Sequence, residues 1–401
     1  MNALKSLLIL GLLAAHTACA QTHAQTQTQT AQTETAQTQT AQTAQTEAQT
    51  ETQKTQAQTE TQTQPDTTST TTSETESGTC LEVVLTGTQG GPPATNGLAG
   101  PGTLVRYGRV ENQCSDVLLQ FDAGRGTTQR LSQLGLSANK LDAVFLTHLH
   151  SDHTEGLVGL MLLRWHFLGK PLDVVCSADA AAAEHTLSCA SFLAGIADPF
   201  VQSGEIAQRA AENPRRNPAG PAALVRHSPV PLALTTATPV WKSSDIVVSA
   251  ISTTHIPGSL AYRVDTPAGS VVIGGDAGNS KRKPPRETST SAEVEALAQG
   301  ADILVHSAIH PIFGPQGGSK FPAPIYLRQS NARDLGLLAK RAGVGQLVLT
   351  HLIPALNARQ HGPFAVPGGA LTPEDFEQAV KDTGFNGQIH IGEDLETIKT
   401  K

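Results

Sequence analysis

The run Thr147-His148-Leu149-His150-Ser151-Asp152-His153 sets three imidazoles and a carboxylate within seven positions, in the spacing HxHxDH. Imidazoles two apart on an extended or turning backbone lie on the same side, so His148 and His150 can share one ion. Asp152 and His153 lie one turn further on and can reach a second. Neutral imidazole and carboxylate suit zinc, at roughly 2.0 to 2.2 Å, with manganese or iron also compatible with the donor set. Such a site points to hydrolysis. Two cations roughly 3.5 to 4 Å apart lower the pKa of a bridging water from 15.7 towards about 7, which makes hydroxide available at neutral pH. They also polarise a phosphoryl, sulfuryl or carbonyl oxygen. Asp152 is the expected acceptor of the water's proton, its own pKa set low by the cations.

The motif must be held by something rigid, and Leu141-Asp142-Ala143-Val144-Phe145-Leu146 reads as a short buried strand ending at it. A two-metal site needs further ligands from other strand ends. His255 follows the apolar Ser249-Ala250-Ile251, with Pro257-Gly258 forcing a turn behind it. Asp276 follows Val271-Val272-Ile273, with Gly274, Gly275 and Gly278 allowing close backbone approach. His351 ends Leu347-Val348-Leu349-Thr350.

This order of motifs resembles the metallo-β-lactamase superfamily over most of residues 80 to 398, and within it the branch of ribonuclease Z and the zinc arylsulfatases. Thr86-Gly87-Thr88-Gln89-Gly90-Gly91-Pro92 is similar to that branch's opening glycine loop. Phe121-Asp122-Ala123-Gly124-Arg125-Gly126-Thr127 is similar to its second-strand motif, and His255 to Tyr262-Arg263 to a further one. The resemblance implies an α/β fold, a four-layer αββα sandwich, carrying two zinc ions. It implies that His148, His150 and His255 hold one ion, that Asp152, His153 and His351 hold the other, and that Asp276 bridges them. It also implies, through Ala301-Asp302-Ile303-Leu304-Val305-His306, a general acid at His306. Ser307 stands where an acidic residue usually follows that histidine, and Ile273 where a Glu precedes the bridging Asp, which weakens the acid relay of the RNA-processing enzymes. His310 is a second candidate acid. A phenolic leaving group would tolerate the loss.

Residues 1–20 read as a signal peptide: a basic start through Lys5, an apolar stretch from Ser6 to Ala15, and Ala18-Cys19-Ala20 as a cleavage site. A lipidated Cys19 would anchor the protein to a membrane, although His16 departs from a lipobox. Residues 21–78 form a Gln/Thr-rich tether with no apolar period and nothing to fold around. Residues 79–401 form the catalytic domain. Four cysteines remain after export into a periplasmic or extracellular, oxidising compartment. Their order pairs Cys80 with Cys114 and Cys176 with Cys189, at roughly 3 kcal/mol per bridge on the chain-entropy model.

Strand patterns near 81–86, 103–107, 117–122, 141–147, 172–176, 246–251, 260–265, 270–274, 302–306 and 346–350 alternate with helical stretches at 154–168, 178–194, 290–299, 329–342 and 373–382. Thr372-Pro373 is a good helix start. Long segments at 196–240 and 311–326 are candidate lids over the site. Trp165, Phe167, Phe313, Phe321 and Tyr326 are candidate walls for an aryl or acyl group, and Lys281-Arg282-Lys283 a candidate anion attractor.

A net charge of -7 argues against a nucleic-acid partner, and export argues against transfer RNA maturation. The leading reading is an exported binuclear zinc hydrolase of a small-molecule ester, an aryl sulfate or a phosphodiester. Ribonuclease Z-type 3′ processing, a lactonase or β-lactamase, and a non-catalytic exported binding protein are the alternatives; zinc content separates the last from the rest. Dimers are common in the resembled family, so a homodimer is compatible.

Overall fold

The computed structural model describes residues 78–181 and 185–400. The expected signal peptide, with Cys19, and the tether up to residue 77 lie outside these residues.

Among the described residues, eighteen strands carry the fold. They are β1 (Thr79–Gly87), β2 (Gly102–Arg109), β3 (Val117–Phe121), β4 (Ala143–Phe145), β5 (Leu172–Ser177), β6 (Ala180–Ala181), β7 (Thr186–Leu187), β8 (Val225–Val230) and β9 (Thr238–Ser243) in the first part of the chain. There follow β10 (Ile246–Ser252), β11 (Leu260–Thr266), β12 (Gly269–Ile273), β13 (Ile303–Ile309), β14 (Gln346–Ile353), β15 (Gln360–His361), β16 (Phe364–Ala365), β17 (Gln388–Ile391) and β18 (Thr397–Lys399). Two seven-stranded sheets form, in the orders β18-β1-β2-β3-β4-β5-β8 and β17-β14-β13-β12-β11-β10-β9.

Alternation in β1, β2, β10 and β11 turns one set of apolar side chains between the sheets. Val83, Val105, Phe121 and Phe145 from the first sheet meet Val248, Tyr262, Val264, Val305 and Val348 from the second in one buried cluster. Phe121 stacks on Phe145 at 4.7 Å, and the Tyr262 hydroxyl donates to the Leu146 carbonyl at 2.8 Å, so the strand that leads to the HxHxDH run is tied to the opposite sheet. The outer face of the first sheet packs on the helices Thr127–Gln133, Ser151–His166 and Cys189–Ala194. The outer face of the second packs on Ala292–Leu297, Ala332–Ala342 and Pro373–Lys381. This is the expected four-layer αββα sandwich. Cys80–Cys114 and Cys176–Cys189 are disulfides, paired as their order predicts.

Two expectations are corrected. Residues 178–194 are not one helix: β6 and β7 pair antiparallel there, and among the described residues of the span only Cys189–Ala194 is helical. A continuous helix would carry Cys189 roughly 16 Å from residue 178, whereas its Cα lies 6.4 Å from that of Cys176. Residues 196–240 are not a lid over the metal-binding motif. They form helices Asp198–Gln202 and Glu205–Glu212 and then β8 and β9, which extend the edges of the two sheets.

Candidate metal centre

The six predicted ligand histidines and aspartates of the two ion sites, together with Asp276, arrive at one point from four strands, β4, β10, β12 and β14. His148 and His150 follow β4, with His150 capping helix Ser151–His166 in extended conformation; Asp152 and His153 are buried in that helix's first turn. His255 occupies the turn between β10 and β11, Asp276 the turn after β12, and His351 sits in β14. Gly275 has no room for a side chain, since a Cβ would stand 2.9 Å from the Cβ of Thr147.

The donor atoms converge. His148 Nε2 is 3.0 Å from His150 Nδ1, which is 3.3 Å from His255 Nε2. His351 Nε2 lies 3.4 Å from Asp152 Oδ2 and 3.3 Å from Asp276 Oδ2. His153 Nε2 lies 3.6 Å from both Asp152 and Asp276, and His255 Nε2 3.7 Å from Asp276. Tetrahedral ligands at about 2.0 to 2.1 Å from zinc are about 3.4 Å apart, so these spacings suit a metal. His153 Nε2 and Asp276 Oδ1 are buried with no hydrogen-bond partner, as ligand atoms turned towards an ion would be. A further converging trio, Cys176, Cys189 and His227, is no metal site, because its cysteines are disulfide-bonded.

Burial pushes the imidazoles of His148 and His150 down and that of His255 down to about 4, which favours the neutral, ligating form. Burial works against the charge of Asp276, but His351 and His153 beside it outweigh burial and hold the carboxyl well below the usual range. Asp152 is likewise lowered, burial being outweighed by the hydrogen bond and charge from His351 and by His153. His153 is raised, because Asp276 and Asp122 outweigh its burial.

Behind these donors stand groups whose role was not read from the sequence. Asp122, at the end of β3, accepts from His153 Nδ1 at 2.8 Å, from the Thr147 amide at 2.7 Å and from the Thr147 hydroxyl at 2.8 Å. The glycine loop closes over His351: the Gly91 amide points at His351 Nε2 from 3.1 Å, and a Cβ at Gly90 would stand 2.7 Å from the His351 carbonyl oxygen. Asp394 pins that loop by accepting from the Thr88 amide and hydroxyl and the Ala99 amide, with Arg130 in an ion pair at 2.8 Å.

A cleft of about 570 Å3 opens on the donors, walled by Phe321, Ile325, Pro363 and Phe364 and bearing Arg328, Gln329 and His361. Of the five aromatics offered as walls, only Phe321 lines it. Trp165, Phe313 and Tyr326 are buried in the core and Phe167 is 64% exposed on the outer helix. The 311–326 segment contributes Phe321 and Ile325, whereas 196–240 contributes Leu232 and Ala233 to a neighbouring cavity that shares His255. His306 and His310 do not line the cleft. His306 is fully buried behind the donors, pushed down to about 4 by that burial, and a general-acid role does not follow from this placement. Arg282 turns inward, donating to the His255 carbonyl at 2.9 Å, while Lys281 and Lys283 are exposed.

Comparison with known proteins agrees with this architecture. Residues 112–188 match the family described as Anti-Pycsar protein Apyc1. The chain is 30% identical to a ribonuclease Z of Mycobacterium bovis over 325 residues, covering 80% of this chain and 98% of the relative, and 31% identical to one of Mycobacterium avium over 323 residues, with the same coverage. Its fold is similar to that of the metallo-β-lactamase fold protein YhfI of Bacillus subtilis (TM-score 0.50, 19% identity, 80% of this chain and 99% of that one). It is equally similar to human tRNase Z, short form (TM-score 0.50, 17% identity, the same coverage). Identity at this level over 80% of this chain and 98% of the relative, on a two-sheet sandwich whose strand ends gather seven histidines and aspartates that could hold metal, makes the chain a member of the metallo-β-lactamase superfamily of metal-dependent hydrolases, on its ribonuclease Z-like side.

Proposed function

We propose that the protein is a binuclear zinc phosphodiesterase of the ribonuclease Z type, acting on a nucleotide phosphodiester at or near an RNA 3′ end. The observation that carries this reading is the complete set of seven donors in a chain aligned along 98% of a ribonuclease Z. Bound there, the two ions would supply Lewis-acid polarisation of the ester and an activated water. Asp152, lowered in pKa and facing His351 and His153, accepts the proton of the attacking water. Gln329, whose Nε2 is 3.4 Å from Asp276 Oδ2, orients that carboxylate.

Arg328 supports an anionic substrate. It lines the cleft, its Nε is buried without a partner, and neither it nor Arg282 nor Arg286 makes a salt bridge among the described residues. Burial first, and then the charges of Arg328 and Arg286, pull the Arg282 guanidinium down. A phosphate beside the scissile one would relieve this crowding of like charges.

A small aryl diester or aryl sulfate is the second reading, favoured by Phe321 and Phe364, which offer flat apolar walls in a cleft sized for one small ligand. Export of the enzyme, in which Cys19 is either removed or lipidated, is part of the proposal; the two disulfides support it.

The test is turnover by the zinc-loaded chain of precursor transfer RNA with a 3′ trailer, bis-p-nitrophenyl phosphate, p-nitrophenyl sulfate, an aryl lactone and nitrocefin. Phosphodiester cleavage above that of His150→Ala is expected. Faster turnover of the sulfate, lactone or lactam would overturn the reading.

A further inference from the structure

Three histidines of the donor cluster have the ring nitrogen that faces away from the ions held by the protein. Asp122 holds His153, the Thr147 hydroxyl lies 3.0 Å from His148 Nδ1, and the Arg328 carbonyl lies 3.3 Å from His255 Nδ1. Such outer bonds fix a metal ligand's tautomer and ring orientation. His351 departs from the pattern. Its Nε2 faces Asp152 and Asp276, but its Nδ1 is buried with no hydrogen-bond partner among the described residues.

A void of about 20 Å3 adjoins His351, enough for the centre of one water. Among the residues that line it, His306 Nε2, Ser307 Oγ, Thr350 Oγ1 and His351 Nδ1 are buried polar atoms with no partner among the described residues, as are His153 Nε2 and Asp276 Oδ1, the two atoms turned towards the ion sites. A buried water typically makes two to four hydrogen bonds and is retained where polar groups converge on it.

We propose that this void is a binding site for a single water, and that His306 is a positioning residue that orients His351 through it. The proton count closes. His306 Nδ1 lies 2.8 Å from the Ser307 carbonyl, which can only accept, so the ring's proton is on Nδ1 and Nε2 carries a lone pair. His351, giving Nε2 to a metal, carries its proton on Nδ1. The water accepts from His351 Nδ1 and from one hydroxyl, and donates to His306 Nε2 and to the other hydroxyl. Burial keeps His306 neutral, as this arrangement requires. Gly274 keeps the ring in place: a Cβ there would stand 2.2 Å from His306 Cδ2. The inference rests on the reading of His351 as a metal ligand.

The test combines a high-resolution crystal structure of the zinc-loaded chain with zinc affinities from chelator competition. We expect ordered density for one water within hydrogen-bond reach of the four atoms. We expect zinc affinity 10- to 100-fold weaker in His306→Leu, with recovery in His306→Gln, whose amide oxygen can accept in place of Nε2. If His306→Leu fails to fold, Thr350→Val should weaken zinc binding in the same direction. A metal-bound structure with a dry void, or variants that bind zinc as tightly as the parent, would overturn the water site and leave the metal centre standing. A parent chain that binds no zinc would overturn both.

Discussion

Asp122 Oδ2 accepts from Nδ1 of His153 across 2.8 Å, while its Oδ1 accepts from the amide of Thr147, the residue that begins the HxHxDH run. One carboxylate thus sets both the tautomer of a candidate ligand and the path of the loop that bears His148 and His150. Asp122→Asn keeps the shape but weakens this hold. Zinc affinity should fall 10- to 100-fold with the fold retained, as read by chelator competition alongside circular dichroism. Unchanged affinity would show that Thr147 and the helix suffice.

Burial holds His306 at about 4 in the folded chain, against an ordinary 6.5. The unfolded chain therefore takes up the proton first as pH falls. Between about 6.5 and about 4 it binds more protons than the folded chain, so stability is lost on acidification across that window. The full loss from this group is roughly 3 kcal/mol. Denaturant titrations of the metal-free protein at pH 7 and pH 4.5 should show a steeper decline in the parent than in His306→Gln.

Gly90 touches the strand that bears His351, and a methyl group there would press on the carbonyl oxygens of His351 and Leu352, each 2.7 Å from its Cβ. Backbone cannot swing aside as a side chain can. Gly90→Ala should cost roughly 1 to 3 kcal/mol and lower activity through displacement of His351. A thermal melt identical to the parent's would refute the close fit.

Arg328→Ala should raise KM for a phosphodiester by about 10-fold or more, the worth of one charge-assisted hydrogen bond, with little change in kcat. Neutral ester substrates should be insensitive to the change. An equal effect on charged and neutral substrates would assign Arg328 to shaping the cleft.

Reduction of Cys80–Cys114 and Cys176–Cys189 should destabilise the domain by roughly 3 kcal/mol per bridge. Melting with and without reductant, compared against Cys80→Ala/Cys114→Ala, would separate the two contributions. No shift on verified reduction would show that the bridges add nothing to stability.

The converging histidines and aspartates were legible because they stand at or just beyond the ends of apolar strands, or in the helix turn that follows one, and strand ends on one side of a sandwich converge. The strands β1 to β5 and β10 to β14 were legible as short apolar runs, buried along most of their length, and the layers followed from the family resemblance. What was hidden depends on partners far away in the chain. Asp122 could be placed in a motif, but its bond to His153 spans 31 residues, and the grip of Asp394 on Thr88 spans 306. Phe364, His361 and Arg328 reach the cleft from loops with no strand pattern of their own. The edge strands β8, β9, β17 and β18 were missed because they are short or half exposed and alternate weakly. The alanine run near 180 favours helix locally, but Cys189 beyond it is tied back to Cys176, which a continuous helix would not allow.

β18 lies beside β1, pairing Glu82 with Lys399, and Asp394 just before it secures the glycine loop that covers His351. Residues 394 to 399 therefore flank β1 and brace the loop that walls the centre. Loss of the Asp394 carboxylate would accordingly free the glycine loop over His351 while leaving every donor in place, so a change far in sequence from His148 would act on the centre and not only on the fold.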